Sequence, residues 1–304
     1  MPRRTWILAI AILGASAWSS GARALPSFAQ QTGQACSKCH VGGYGPQLKQ
    51  YGRDFKLYAY VNGDKMNHLP PISITTISSF TNTQADAAKT LPHFEDNDNI
   101  AAAEKVKLAY AGALPGNIVG SFSEVSYDGV RRVLQLDNVD IRTAVNPTIL
   151  GRDVVLGLDL NDRPTVQDLW NSTPTFELVP LTSALAPLPA ASAIIDAKLA
   201  QRVVGGGAYG EWNNWLHAEV TAYRPLQNNI VRRMGLATPA NADVYDGAIP
   251  YWRVALQHDL EDSHYFEIGA YGLSAQRLPT GVRTRGDDRI TDTAADATYQ
   301  FTGG

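Results

Sequence analysis

Beyond Pro71 the polar and apolar residues alternate with a period of two, the signature of strands with one face in each of two environments. In 153–161, Val154, Leu156, Leu158 and Leu160 alternate with Asp153, Gly157, Asp159 and Asn161 around a lone Val155. In 251–260, Trp252, Val254, Leu256 and Leu260 oppose Arg253, Gln257 and Asp259, and in 215–223, Leu216, Ala218, Val220 and Ala222 oppose His217, Glu219 and Thr221. Weaker alternation runs through Val106, Leu108 and Tyr110 and through Phe266, Ile268 and Ala270. The pattern predicts about ten strands of roughly ten residues, separated by turn chemistry such as Pro115-Gly116, Asp128-Gly129 and Glu261-Asp262-Ser263. Two architectures bury one face of each strand: a soluble sandwich, and an antiparallel transmembrane β-barrel whose apolar face meets outer-membrane lipid. Strands near ten residues favour the barrel, because a tilted membrane strand needs about 9–11. Trp212, Trp215, Tyr223, Tyr251, Trp252 and Tyr265 lie near strand ends as an interfacial girdle would, and Asp153, Asp159, Glu219, Arg253 and Asp259 are expected to line a polar interior.

Ahead of the strands the period is helical. Leu48, Tyr51, Phe55 and Tyr58 recur at spacings of three and four, with Gln47, Lys49, Gln50, Arg53, Asp54 and Lys56 between them, and Pro46 suits a first helical position. This stripe is either an ordinary core face or the cover of a flat apolar cofactor. His68-Leu69-Pro70-Pro71 marks a boundary, since consecutive prolines oppose helix. Arg163 to Ala197 has five prolines and no sustained alternation. Such a long connection is expected either to fold inward, with Trp170 and Phe176 as apolar pins, or to pack on the outer rim; Arg224 to Ile249 is a second, on the same side.

Residues 1–24 read as an export signal: Arg3 and Arg4, the apolar run Trp6 to Ala17, then Ala22-Arg23-Ala24 as a small-x-small cleavage pattern. The organisation is thus a signal peptide (1–24), a small helical domain (25–69) and a β-domain (70–304). Cleavage removes three arginines and no acid, taking the formal charge from −3 to −6, which offers no nucleic-acid patch. Charged residues are only 18% while 44% are hydrophobic without a long apolar block, as when apolar residues are dispersed singly along strands.

Export decides the chemistry of the only two cysteines, Cys36 and Cys39, followed directly by His40. A disulfide across two residues is more often redox-active than structural, and no second pair is present to complete a zinc site. C-x-x-C-H is the attachment signature of c-type haem: two thiols one helical turn apart form the thioethers and the next residue is the proximal iron ligand. Met66 and His68 are the candidate distal ligands, with His93 in the next loop; a five-coordinate iron or a bound water is the alternative. At some 45 residues this domain sits near the size that needs a cofactor or a neighbour to stay folded. The chain has no G-x-S-x-G or P-loop, and its other histidines lack zinc-motif spacing.

The segments LPSFAQQTGQACSKCHVGGYGPQLKQYGRDFKLYAY, HLPPISITTISSFTNT and NDRPTVQDLWNSTPTF resemble the outer-membrane monohaem cytochrome–porin fusions, the family best known from iron-oxidising bacteria. The resemblance implies one covalent haem c on Cys36 and Cys39 with His40 as proximal ligand, seated in or at the mouth of a barrel of about sixteen strands. It also implies an electron-transport role, from an extracellular donor such as Fe(II) to a periplasmic c-type cytochrome or similar carrier. About ten strands fall short of sixteen, and the end at Gln300-Phe301-Thr302-Gly303-Gly304 reads as mid-hairpin, so a truncated sequence is expected. Two rivals are a porin whose haem is structural or sensory, and a soluble periplasmic cytochrome c with a β-sandwich partner.

Overall fold

The computed structural model describes residues 26–43, 45–63, 71–86, 91–173, 183–186, 193–196, 198–238, 243–261, 263–281 and 286–302. The export signal and the 64–70 boundary lie outside them. Among the described residues three short helices precede the strands: α1 (Pro26–Thr32), α2 (Cys36–Cys39) and α3 (Gln50–Leu57). Then come β1 (Ile72–Thr81), β2 (Asn99–Ala113), β3 (Val119–Asp128), β4 (Val133–Val145), β5 (Thr148–Ile149), β6 (Arg152–Asn161), β7 (Val203–Trp212), β8 (Leu216–Pro225), β9 (Val244–Asp246), β10 (Ile249–Glu261), β11 (His264–Leu278) and β12 (Asp288–Phe301). They form one open antiparallel sheet in the order β1-β2-β3-β4-β6-β7-β8-β10-β11-β12, with β5 on β6 and β9 on β11. Ten strands lie on that path, as the alternation predicts.

The two faces of this sheet are inverted relative to a soluble protein. Val220 and Ile268 are each 62% exposed, whereas the adjacent Glu219 and Glu267 are 3% and 1% exposed. Leu156, Leu158, Leu160, Val254 and Leu256 repeat the exposed apolar face, and Asp159, Asn161, His217, Arg253 and Gln257 the buried polar one. A β-sandwich buries its apolar faces between two sheets; among the described residues there is one sheet, and its apolar face is open. Period two also corrects the girdle. Trp212, Trp215 and Trp252 are exposed, but Tyr223, Tyr251 and Tyr265 share parity with Thr221, Arg253 and Glu267 and are buried on the inner face. Asp153 is exposed at a strand tip rather than turned inward.

The sheet curls. From β3 to β12 is seven strand spacings, about 34 Å if laid flat. Yet Phe28 of α1 lies 6.1 Å from Phe122 of β3 and 5.0 Å from Phe55 of α3, and Arg53, two residues earlier, donates to Gln300 Oε1 of β12 at 3.2 Å. One short helical segment therefore touches strands near both edges.

The connection after β6 turns inward over 162–173, where Val166, Gln167, Asp168, Leu169 and Trp170 are all buried. This part follows the inward alternative, with Trp170 as a pin; Phe176 lies outside the described residues. Farther on, Ile194, Ile195 and Leu199 pack against Val203, Tyr223, Ile249, Tyr251 and Leu273. Between these apolar ends sits a charged layer. Arg253 pairs with Asp168 at 3.4 Å, with Asp296 at 2.9 Å and with Glu267, and Arg142 pairs with Asp140 at 2.9 Å.

Removing one partner from such a buried cluster leaves charge uncompensated, which costs about 3–5 kcal/mol. Arg253→Met is therefore expected to destabilise the protein by that order, read as a lowered denaturation midpoint, with Asp296→Asn, at the more exposed margin, costing less.

Candidate functional site

The C-x-x-C-H segment is one turn of helix. Cys36 and Cys39 occupy positions i and i+3 of α2 and so share a side, and the chain leaves the turn at His40, whose N–H donates to Cys36 O at 2.9 Å. His40 bridges to Leu48, and Lys49 N–H donates to Cys39 O at 2.7 Å, which fastens the start of α3 onto the turn. The close approach needs Gly52: a Cβ there would stand 2.6 Å from Cys39 O. Gly120 of β3 plays the same part for the other end of the segment, its missing Cβ making room for Ala59 O.

These elements wall an apolar pocket of about 90 Å³. Cys36, Cys39 and His40 form one wall; Phe28, Leu48, Phe55 and Tyr60 supply apolar surface, Phe122 comes from β3, and Val166 and Asn171 come from the inward connection. The helical stripe divides accordingly. Leu48 and Phe55 face the pocket, whereas Tyr58 packs beside the cluster of Leu57, Leu169, Trp170, Tyr209 and Tyr265.

No disulfide joins the two cysteines. Burial, then the neighbouring Cys36, push the Cys39 thiol up to about 11, with Lys38 opposing. A redox-active pair needs a thiol shifted down, so this one is a poor nucleophile on its own. Burial lowers the His40 pKa, opposed by the Gly45 backbone, and favours neutral imidazole; its Nδ1 is buried without a hydrogen-bond partner. A neutral ring with unused hydrogen-bonding capacity beside an apolar pocket suits metal ligation. The donor set, two thiols on one side of a turn and a neutral imidazole beside an apolar wall, thus fits a haem held by Cys36, Cys39 and His40.

Met66 and His68, the candidate distal ligands, lie outside the described residues. His93 is exposed in the β1–β2 connection, at the opposite end of the sheet from the pocket, so the fold does not bring it to His40. No Met, and no His besides His40, lines the pocket among the described residues.

Lys56 is the residue the sequence reading passed over, a polar spacer in the stripe that proves buried. Its Nζ donates to Val166 O at 2.6 Å, Asp168 O at 2.7 Å and Asn171 Oδ1 at 2.7 Å. Burial, with Arg142 adding to it, pushes its pKa down to about 7, against Asp140 and Asp168. Three acceptors require three N–H donors, which only the ammonium has, so the geometry holds the charged form. Arg53, one turn back, stacks 3.7 Å over Trp170 and lies 3.6 Å from Asp259. The pair Arg53 and Lys56 at i and i+3 was the available signal: two cations on one face of a short helix.

Lys56→Met leaves three buried acceptors without their donor, at about 1–3 kcal/mol each before relaxation. Expected are a lowered denaturation midpoint and faster chymotryptic cleavage at Leu169 or Trp170. Gly52→Val is expected to separate α3 from the cysteine turn and lower the denaturation midpoint, while Gly116→Ala, in an exposed hairpin turn with open space around it, costs less. No family model, curated protein or solved structure matches this chain.

Proposed function

We propose that this protein is an outer-membrane electron carrier with one covalent haem c, taking electrons from an extracellular donor and passing them to a periplasmic c-type cytochrome or similar carrier. The observation that carries the reading is the wall of Cys36, Cys39 and His40 on an apolar pocket, in a chain whose sheet exposes its apolar face and buries charge. The haem supplies one-electron exchange at its iron. The chain's own residues fix it through two thioethers, present the His40 imidazole, and exclude water with Phe28, Leu48, Phe55 and Phe122.

Lipid is the medium in which the exposed leucines, valines and isoleucines of β6, β8, β10 and β11 lose contact with water, while the charges they alternate with stay hydrogen-bonded inside. Among the described residues the soluble β-sandwich reading finds no second sheet to cover that face. Against the porin reading stands the filling of the inner face: the helical segment at one end, Ile194, Ile195 and Leu199 at the other, and Trp170 between.

A detergent extract of the outer membrane is expected to give one haem-staining band that survives denaturation and is lost in Cys36→Ala/Cys39→Ala. A band only in the soluble periplasm, or none, overturns the proposal. With the oxidised purified protein, Fe(II) is expected to produce the reduced Soret band; reduction by another external donor and not by Fe(II) reassigns the donor alone. Replacing Val220 by Arg, near the middle of β8, is expected to lower membrane-assembled protein, at about 2–4 kcal/mol for a midplane charge.

A further inference from the structure

The antiparallel path places every connection at one of two ends. At one end the connections are 82–98, 129–132, 162–202, 226–248 and 279–287; at the other they are 114–118, 146–151, 213–215 and 262–263. Four of the five connections at the first end are longer than any at the second. Outer-membrane barrels keep short turns on the periplasmic side and long loops outside.

The helical segment sits at the short-turn end. Gln31 accepts from Ala113 N, the last residue of β2, at 2.9 Å and donates to Asn62 O at 3.2 Å. Tyr58 Oη accepts from Asn146, just beyond β4, at 3.2 Å. Gln50 donates to Asp259 near the close of β10 at 2.7 Å, and Gln300, next to last in β12, donates to Leu48 O at 3.0 Å. From the long-loop end the 162–173 connection descends along the inner face and meets this segment. Besides the three acceptors it offers Lys56, its Trp170 O accepts from Leu48 N at 3.1 Å and its Asn171 donates to Pro46 O at 3.0 Å.

We propose that the haem-bearing segment is a plug at the periplasmic end, latched from within by the 162–173 connection through Lys56, and that a periplasmic electron carrier is the partner that meets this segment directly. The external donor then meets the long-loop end, on the far side of the latch. This orientation rests on the outer-membrane haem reading and adds the side of the membrane on which the segment lies.

Single cysteines placed at exposed positions test it in cells making the full-length protein: Glu95→Cys in the β1–β2 connection, Asn117→Cys in the β2–β3 turn and Asn62→Cys in the helical segment itself. A membrane-impermeant maleimide is expected to label only Glu95→Cys in intact cells, and all three after the outer membrane is permeabilised, with the haem band retained throughout. Labelling of Asn62→Cys and Asn117→Cys in intact cells, with haem present and Glu95→Cys protected, overturns the orientation and leaves the haem reading standing. Protection of all three, with recovery in the soluble fraction, overturns the membrane reading and this inference with it.

Discussion

Charged side chains buried against the inner face of the sheet, and the partners each of them needs, set the terms for everything packed there. Arg253, Arg142, Asp168, Glu267 and Asp140 are all nearly inaccessible, and each is held by an opposite charge or a hydrogen bond. An isolated ion in such a place is untenable, so the carboxylates and guanidiniums have to arrive together. Their strands then have only apolar side chains left to turn outward. The exposed face is thus the direct consequence of the buried one, through a side-chain period of two.

The same constraint explains how the N-terminal helices dock against the sheet. Their described part is shorter than a self-sufficient core requires, and its two central cations, Arg53 and Lys56, find their partners elsewhere: Trp170, Asp259 and Gln300 for one, the 162–173 backbone and Asn171 for the other. The polar interior supplies what a soluble apolar core cannot, a set of acceptors for buried donors. In return the segment and the inward connection complete the walls of the pocket beside Cys36, Cys39 and His40.

Much of this is legible in the chain. Alternation locates the strands of β6, β8 and β10 and assigns their faces, and the cysteine spacing marks the pocket before any fold is known. Tyr223, Tyr251 and Tyr265 show where reading by residue type misleads: aromatic residues near strand ends suggest an interface, but strand parity turns these three inward, where Tyr223 and Tyr251 help close the long-loop end. Lys56 misleads in the opposite direction. A lysine between apolar helical positions reads as solvated surface, and its burial follows only from a connection that begins more than a hundred residues later.

Local periods are written in the chain: two along the strands, 3.6 in the helix, and one turn between the thiols. These are properties of neighbouring residues, fixed by backbone geometry and side-chain chemistry. That the inward connection meets Lys56, that Phe122 and Val166 reach the pocket, and that the helical segment lies at the short-turn end emerges from the fold alone. Those outcomes depend on contacts between residues far apart in the chain, set by the curl of the sheet and by the need of each buried charge for a partner, and no short stretch of sequence encodes them.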